Sequence, residues 1–239
     1  MRCSLVLMPC PVVVLAVALA ACGIEEPNPT PSVSCDGDAC DEEPPPPPCV
    51  VEPIDEERDL DPFYEKECVV LGIPVLSSSA VQDEALVAAA KIVAGMLAYR
   101  ADLAEHIATF GGRISLVAET ENTTDVPEFA YLADDPDVDW NERARGFGAT
   151  LDRPVMLAAE EDVLCLPSNR WVGQSIFVHE FAHTVHLLAL PVYDDFFDVE
   201  LTNLWRDATE AGRWQNSYAG THWTELWAEG VQSYFDVNA

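Results

Sequence analysis

One pentapeptide in this chain has the residue types and the spacing to do hydrolytic chemistry: His179-Glu180-Phe181-Ala182-His183. On a helix, residues four apart lie on one face with their side chains stacked, so two imidazoles can grip one ion. Glu180 sits about 100° round the same helix, near enough to reach a water on that ion. Zinc lowers the pKa of its water toward 7, and a carboxylate at that place can take the proton during an attack. The chemistry dictates the residue types: two neutral nitrogen donors and one base at a fixed separation. Two incidental histidines on a helix are the plain alternative. Chance alone yields about 0.01 such matches in a chain of this composition.

A catalytic zinc takes three protein ligands and leaves one place open for water. His186 lies on the same helical face, but about 10 Å along the axis from His179 by the helical rise. That is too far for all three rings to meet one ion, so His186 is expected to support or line the pocket. The better donors lie near the C-terminus. Glu225 and Glu229 are four apart and face one way, while Trp227, Val231, Tyr234 and Phe235 read as the core stripe of the same helix. On that helix alone, a solvated acidic face is the competing reading.

Taken together, His179-Glu-Phe-Ala-His183 and Tyr218-Ala-Gly-Thr-His-Trp-Thr-Glu225-Leu-Trp-Ala-Glu229 resemble the zincin metallopeptidases. The likeness is to the anthrax-lethal-factor-like group and the related Pro-Pro endopeptidases, and it covers residues 172–236. It implies a zincin-like domain with one Zn2+ per chain, held by His179, His183 and Glu225. It further implies Glu180 as general base, Tyr218 as hydrogen-bond donor to the transition state, and Glu229 as the carboxylate that orients a ligand histidine. The implied activity is a zinc metallopeptidase, a hydrolase of peptide or protein substrates. The chain lacks the glycine and third histidine of metzincins and the Asn-Glu opening of thermolysin-like enzymes. It stops ten residues after Glu229, short for such a domain, which leaves room for a missing C-terminal subsite. Two other readings stay open: a non-catalytic surface lipoprotein that binds zinc or a partner on this scaffold, and a zinc hydrolase acting on a non-peptide amide such as cell wall.

Several elements must position these residues. Leu86, Ala90, Val93 and Leu97 recur at helical intervals and predict a helix over 81–99. A second helix is expected over 102–110, closed by Gly111-Gly112. Residues 113–119 and 154–158 read as strands, the latter offering an edge to an extended peptide. Residues 120–146 read as a long loop. Helices are expected over 172–190, 201–211 and 222–235. The fold class is therefore α+β, mainly helical with a small sheet.

The N-terminal part reads as an address. Residues 1–21 carry Arg2 and an apolar run from Val12 to Ala21, about ten residues and too short to span a bilayer. Leu19-Ala20-Ala21-Cys22 resembles the lipobox of bacterial lipoproteins, which implies a lipid on Cys22 and a chain tethered outside the cytoplasm. Residues 22–62 follow as an acidic, proline-rich tether with Pro44–Pro48 at its centre, too poor in apolar residues to fold. The catalytic domain is then expected over 63–239, as a monomer. With 42 acidic residues against 12 basic ones, the net charge of −30 excludes a nucleic-acid partner and steers weakly toward basic substrates. An oxidising compartment lets cysteines pair. The expected pairing is Cys68–Cys165, with Cys35–Cys40 as a looser one and one thiol left over.

Overall fold

The structure is a computed structural model and describes residues 49–55 and 57–238. The leader, the lipidation site Cys22, the tether up to residue 48 and the pairing of Cys35 and Cys40 lie outside the described residues. Folded chain begins earlier than residue 62. Strand β1 (Glu52–Pro53) pairs antiparallel with β2 (Lys66–Val70), placing Glu52 opposite Glu67. Ile54 and Leu60 pack against the core, so even this acidic segment finds apolar anchors.

That pairing also corrects the disulfide. The residues just before β1 run back along β2, which brings Cys49 to Cys68 with 5.6 Å between the Cα atoms. Cys68 is thus bonded to Cys49 and not to Cys165, which is itself disulfide-bonded.

Strand β2 turns into β3 (Ile73–Ser77) through Leu71-Gly72. Their φ values of 50° and 82° lie in the left-handed region, the hairpin turn whose twist matches that of the strands. Leucine is an unusual first residue there, so the hairpin carries no Asn-Gly signature to announce it. Helices α1 (Asp83–Met96) and α2 (Ala101–Thr109) cross over to β4 (Arg113–Val117), which lies parallel to β3. After the short helix α3 (Trp140–Arg143), strand β5 (Val155–Ala159) runs parallel to β4. The five-stranded mixed sheet has the order β1-β2-β3-β4-β5. The helices that follow are α4 (Glu160–Val163), α5 (Ile176–Leu188), α6 (Leu190–Tyr193), α7 (Phe197–Glu210) and α8 (Trp223–Tyr234). The fold is α+β with a small sheet. No helix among the described residues is long and apolar enough to cross a membrane.

Side chains alternate across a strand, so each strand feeds both faces of the sheet. Ile114, Leu116, Met156 and Ala158 face α1, α2 and α5, where Phe177, Phe181 and Leu188 are fully buried. Val117, Val155 and Leu157 face the other way, under Val126, Phe129 and Leu132. These last three belong to 120–146, which forms 3-10 turns at Thr123–Asp125 and Pro127–Asp134 rather than an open loop. That segment roofs the second face of the sheet because its few apolar residues are placed to do so.

Candidate metal centre

Helix α5 is capped before His179 and His183 begin. Its first backbone N–H groups have no partner within the helix and must find one elsewhere. The Ser175 hydroxyl accepts from the Val178 N–H at 3.3 Å, and Asp162 accepts from Ile176 and Phe177 at 3.1 and 2.8 Å. Burial pushes the Asp162 carboxyl up to about 6, against the pull of those donors and of Asn169. One turn further on, His179 and His183 project from the same face, as their four-residue spacing requires.

Helix α8 packs on α5 and supplies the third donor. Trp227 Nε1 donates to the Ala182 carbonyl at 2.9 Å and pins the pair. The aromatic stripe expected from the sequence is only partly inward, through Trp227. Ala228 and Gln232 are the buried residues of α8, whereas Tyr234 is exposed. The face that carries Glu225 is turned toward α5 as well, with the small Ala228 fully buried.

Three donor atoms meet between the helices. Glu225 Oε2 lies 3.1 Å from His179 Nε2 and 3.3 Å from His183 Nε2, and the two Nε2 atoms are 3.2 Å apart. Among the described residues this is the one group that could hold a metal ion. Its dimensions can be compared with a specific ion. Three donors at 2.0–2.1 Å from a tetrahedral zinc stand about 3.3–3.4 Å from one another. The triangle is within about 0.2 Å of that size, so nitrogen and oxygen donors of the right type fit such an ion.

The tautomer fits too. The Gln232 amide donates through Nε2 to the Ser175 carbonyl at 2.9 Å, which leaves its oxygen to face His179 Nδ1 at 2.9 Å. A carbonyl oxygen only accepts, so Nδ1 carries a hydrogen, and in the neutral ring the Nε2 lone pair points into the triangle. The expected orienting residue, Glu229, does not fill this role. Its carboxylate stands 3.8 Å from Nδ1 and accepts instead from Asn238 Nδ2 at 2.8 Å. Gln232 was legible in principle, since it lies seven residues after Glu225 and so on the same helical face.

The electrostatics favour a positive charge at the centre of the triangle. Burial works against a charge on His179, yet Glu225, Glu180 and Gln232 together push the ring up to about 9. Burial likewise opposes ionisation of Glu225, and the two imidazoles overcome it and hold the carboxyl down to about 2. Glu180, beside the triangle, is pushed up by burial and by Glu225, against the two histidines and the Gly148 N–H that donates to it. A raised carboxylate is a better proton acceptor during attack.

A strip of chain outside the sheet forms the wall next to Glu180. Phe147 and Leu157 exchange two backbone hydrogen bonds at 3.0 and 2.8 Å, so the outer edge of β5 at Leu157 is taken by the chain itself and is not offered to a peptide there. Ala149 N–H donates to Thr184 Oγ1, and that hydroxyl donates to the Glu180 carbonyl. The strip fits only because two glycines lack side chains. A Cβ at Gly146 would stand 3.1 Å from Glu180 Cγ, and one at Gly148 would stand 2.7 Å from His183 Cβ. Sequence reasoning passed over both, since nothing in Gly-Phe-Gly marks a close approach.

Tyr218 opens the 3-10 turn Tyr218–Gly220, with its ring 5.9 Å from that of His179 and 53% of its surface exposed. Burial and the carboxylates of Glu225 and Glu180 push its hydroxyl up, so it stays protonated and able to donate. His186 sits elsewhere. It is fully buried among Phe197, Trp223 and Trp227, where Nε2 donates to Asp198 at 2.7 Å. It ties α5 to α7 and makes no hydrogen bond to a ligand of the triangle. Comparison with known proteins adds no identity: no family model, no curated protein and no solved structure matches this chain.

Proposed function

We propose that this chain is a zinc-dependent metallohydrolase of the zincin type, acting as a peptidase. The observation that carries the reading is the donor triangle, with its zinc-sized edges and a tautomer set by Gln232. His179, His183 and Glu225 would hold the ion, which when bound supplies a Lewis acid and a water of lowered pKa. Glu180 takes a proton from the attacking water as its oxygen bonds the scissile carbonyl carbon, and hands that proton to the amine as the C–N bond breaks. Tyr218 donates a hydrogen bond to the oxyanion that develops, a contribution worth up to about 3–4 kcal/mol in comparable sites. Export and a lipid anchor on Cys22 belong to the same proposal and rest on the leader alone.

The test is metal content by mass spectrometry on the full chain, with Glu225→Ala and Glu180→Gln beside it. Near one zinc per parent chain is expected, lost in Glu225→Ala and kept in Glu180→Gln. Hydrolysis of a panel of denatured proteins should fall by about 10²–10⁴-fold in Glu180→Gln. A folded parent that takes up little zinc refutes the reading. Zinc without turnover on proteins, but with turnover on muropeptides, would move the substrate to cell wall. Zinc without turnover on either would leave a binding protein on the same scaffold.

A further inference from the structure

The chain is strongly acidic, and its cations are mostly consumed by that acidity. Of the eleven Lys and Arg side chains among the described residues, seven sit on a carboxylate. Arg153 donates to the Tyr131 hydroxyl and lies over the Phe129 ring. Lys91, Arg143 and Arg213 make no ion pair among the described residues. Arg143 is exposed, and its neighbour Glu142 is taken by Arg170 at 3.3 Å.

Its position gives that vacancy a meaning. Arg143 ends α3 and leads, through the extended Ala144, into the Gly146–Gly148 strip that walls the site. Three residues span at most about 10 Å, so Arg143 lies within that distance of the glycine that touches Glu180. The Arg143 guanidinium also lies near enough to act on the Tyr218 hydroxyl, against Glu225 and Glu180. A positive group with no partner therefore borders the place where a substrate would be cut.

We propose that Arg143 binds a carboxylate of the substrate beside the scissile bond, as an acidic side chain or as the C-terminal carboxylate. This rests on the zinc hydrolase reading and names its substrate class. The guanidinium is a planar fork that matches a carboxylate through two parallel N–H···O bonds. The net charge of −30 does not forbid such a substrate. Fields between exposed charges fade over about 8 Å at physiological salt, so a contact at Arg143 outweighs charges spread over the rest of the surface.

The experiment measures equilibrium binding to the zinc-loaded full chain, with zinc content checked by mass spectrometry. Three short peptide hydroxamates serve as probes: one ending in a free carboxylate, one ending in an amide, and one amide-ended with Glu next to the hydroxamate. At least one carboxylate probe should bind about ten-fold tighter than the neutral one, and which of them does so distinguishes terminus from side chain. Arg143→Gln should abolish that difference, Arg143→Glu should invert it, and Lys91→Gln, the same charge change on α1, should leave it alone. Equal binding of all three probes to the parent overturns the inference while the zinc site stands. So does a preference that survives in Arg143→Gln. If no probe binds a parent that holds zinc, both readings fall.

Discussion

The role of Gln232 can be tested at the level of one hydrogen bond. In Gln232→Leu the His179 Nδ1 hydrogen loses its acceptor at 2.9 Å, in a place where Gln232 itself is 1% exposed. The Ser175 carbonyl also loses a donor, but it keeps the His179 N–H at 3.2 Å and is not orphaned. The deficit therefore falls on the histidine. Its ring can now place the hydrogen on Nε2, the atom that must be bare to hold an ion. Removing such an orienting partner lowers metal affinity by about 10–100-fold, or about 1.4–2.7 kcal/mol. The assay is a zinc Kd at pH 7 by competition with a chromophoric chelator, with thermal melts run to confirm folding. Gln232→Glu keeps an acceptor at the same place and should hold zinc nearly as well as the parent. Glu229→Gln should change little, because its carboxylate stands at 3.8 Å and is bound elsewhere. If Gln232→Leu binds zinc like the parent, or Glu229→Gln loses as much as Gln232→Leu, the tautomer reasoning is wrong.

Two further predictions concern the frame around the site. Gly148→Ala puts a Cβ 2.7 Å from His183 Cβ, so strip and helix must part, at a cost of about 1–3 kcal/mol seen as a lower Tm. Gly230→Ala, on α8 where a Cβ meets nothing, should instead stabilise by about 0.5–1 kcal/mol. Equal effects of the two would refute the close-approach account. The Asp162 carboxyl is raised from 3.8 to about 6 in the folded state, so the fold holds its proton more tightly than the unfolded chain does. Its contribution to stability is thus full below about pH 4, is lost as pH rises toward 6, and is flat above, spanning roughly 3 kcal/mol. Asp162→Asn should remove that slope from denaturant melts taken between pH 4 and 6. An unchanged slope would locate the titration elsewhere.

Much of the site was legible in order along the chain. Residues four apart on a helix share a face whatever surrounds them, so His179 and His183 were paired by local geometry alone. The same periodicity located helices α1, α2, α5 and α8 to within a few residues at their ends. Strands β4 and β5 followed from their β-branched and apolar runs. The hairpin β2–β3 was missed because its turn uses Leu71, whose left-handed backbone is imposed by the sheet rather than preferred by the residue.

What only the tertiary structure decided is which face of each element met which neighbour. Periodicity gives α8 an aromatic stripe and an acidic one, and cannot say which is buried. Contact with α5 took up Glu225 and Gln232 together with Trp227, left Tyr234 exposed, and put Gln232 rather than Glu229 on the His179 ring. His186 shares a face with the candidate donors His179 and His183, yet α7 draws it to Asp198. The Cys49–Cys68 bond depends on β1 lying beside β2, a pairing between segments that no local preference specifies. The sequence by itself put the candidate donors His179 and His183 and the candidate base Glu180 together, because their chemistry and their spacing are local. The structure decided their partners, because a partner is chosen by residues distant in the chain competing for the same space.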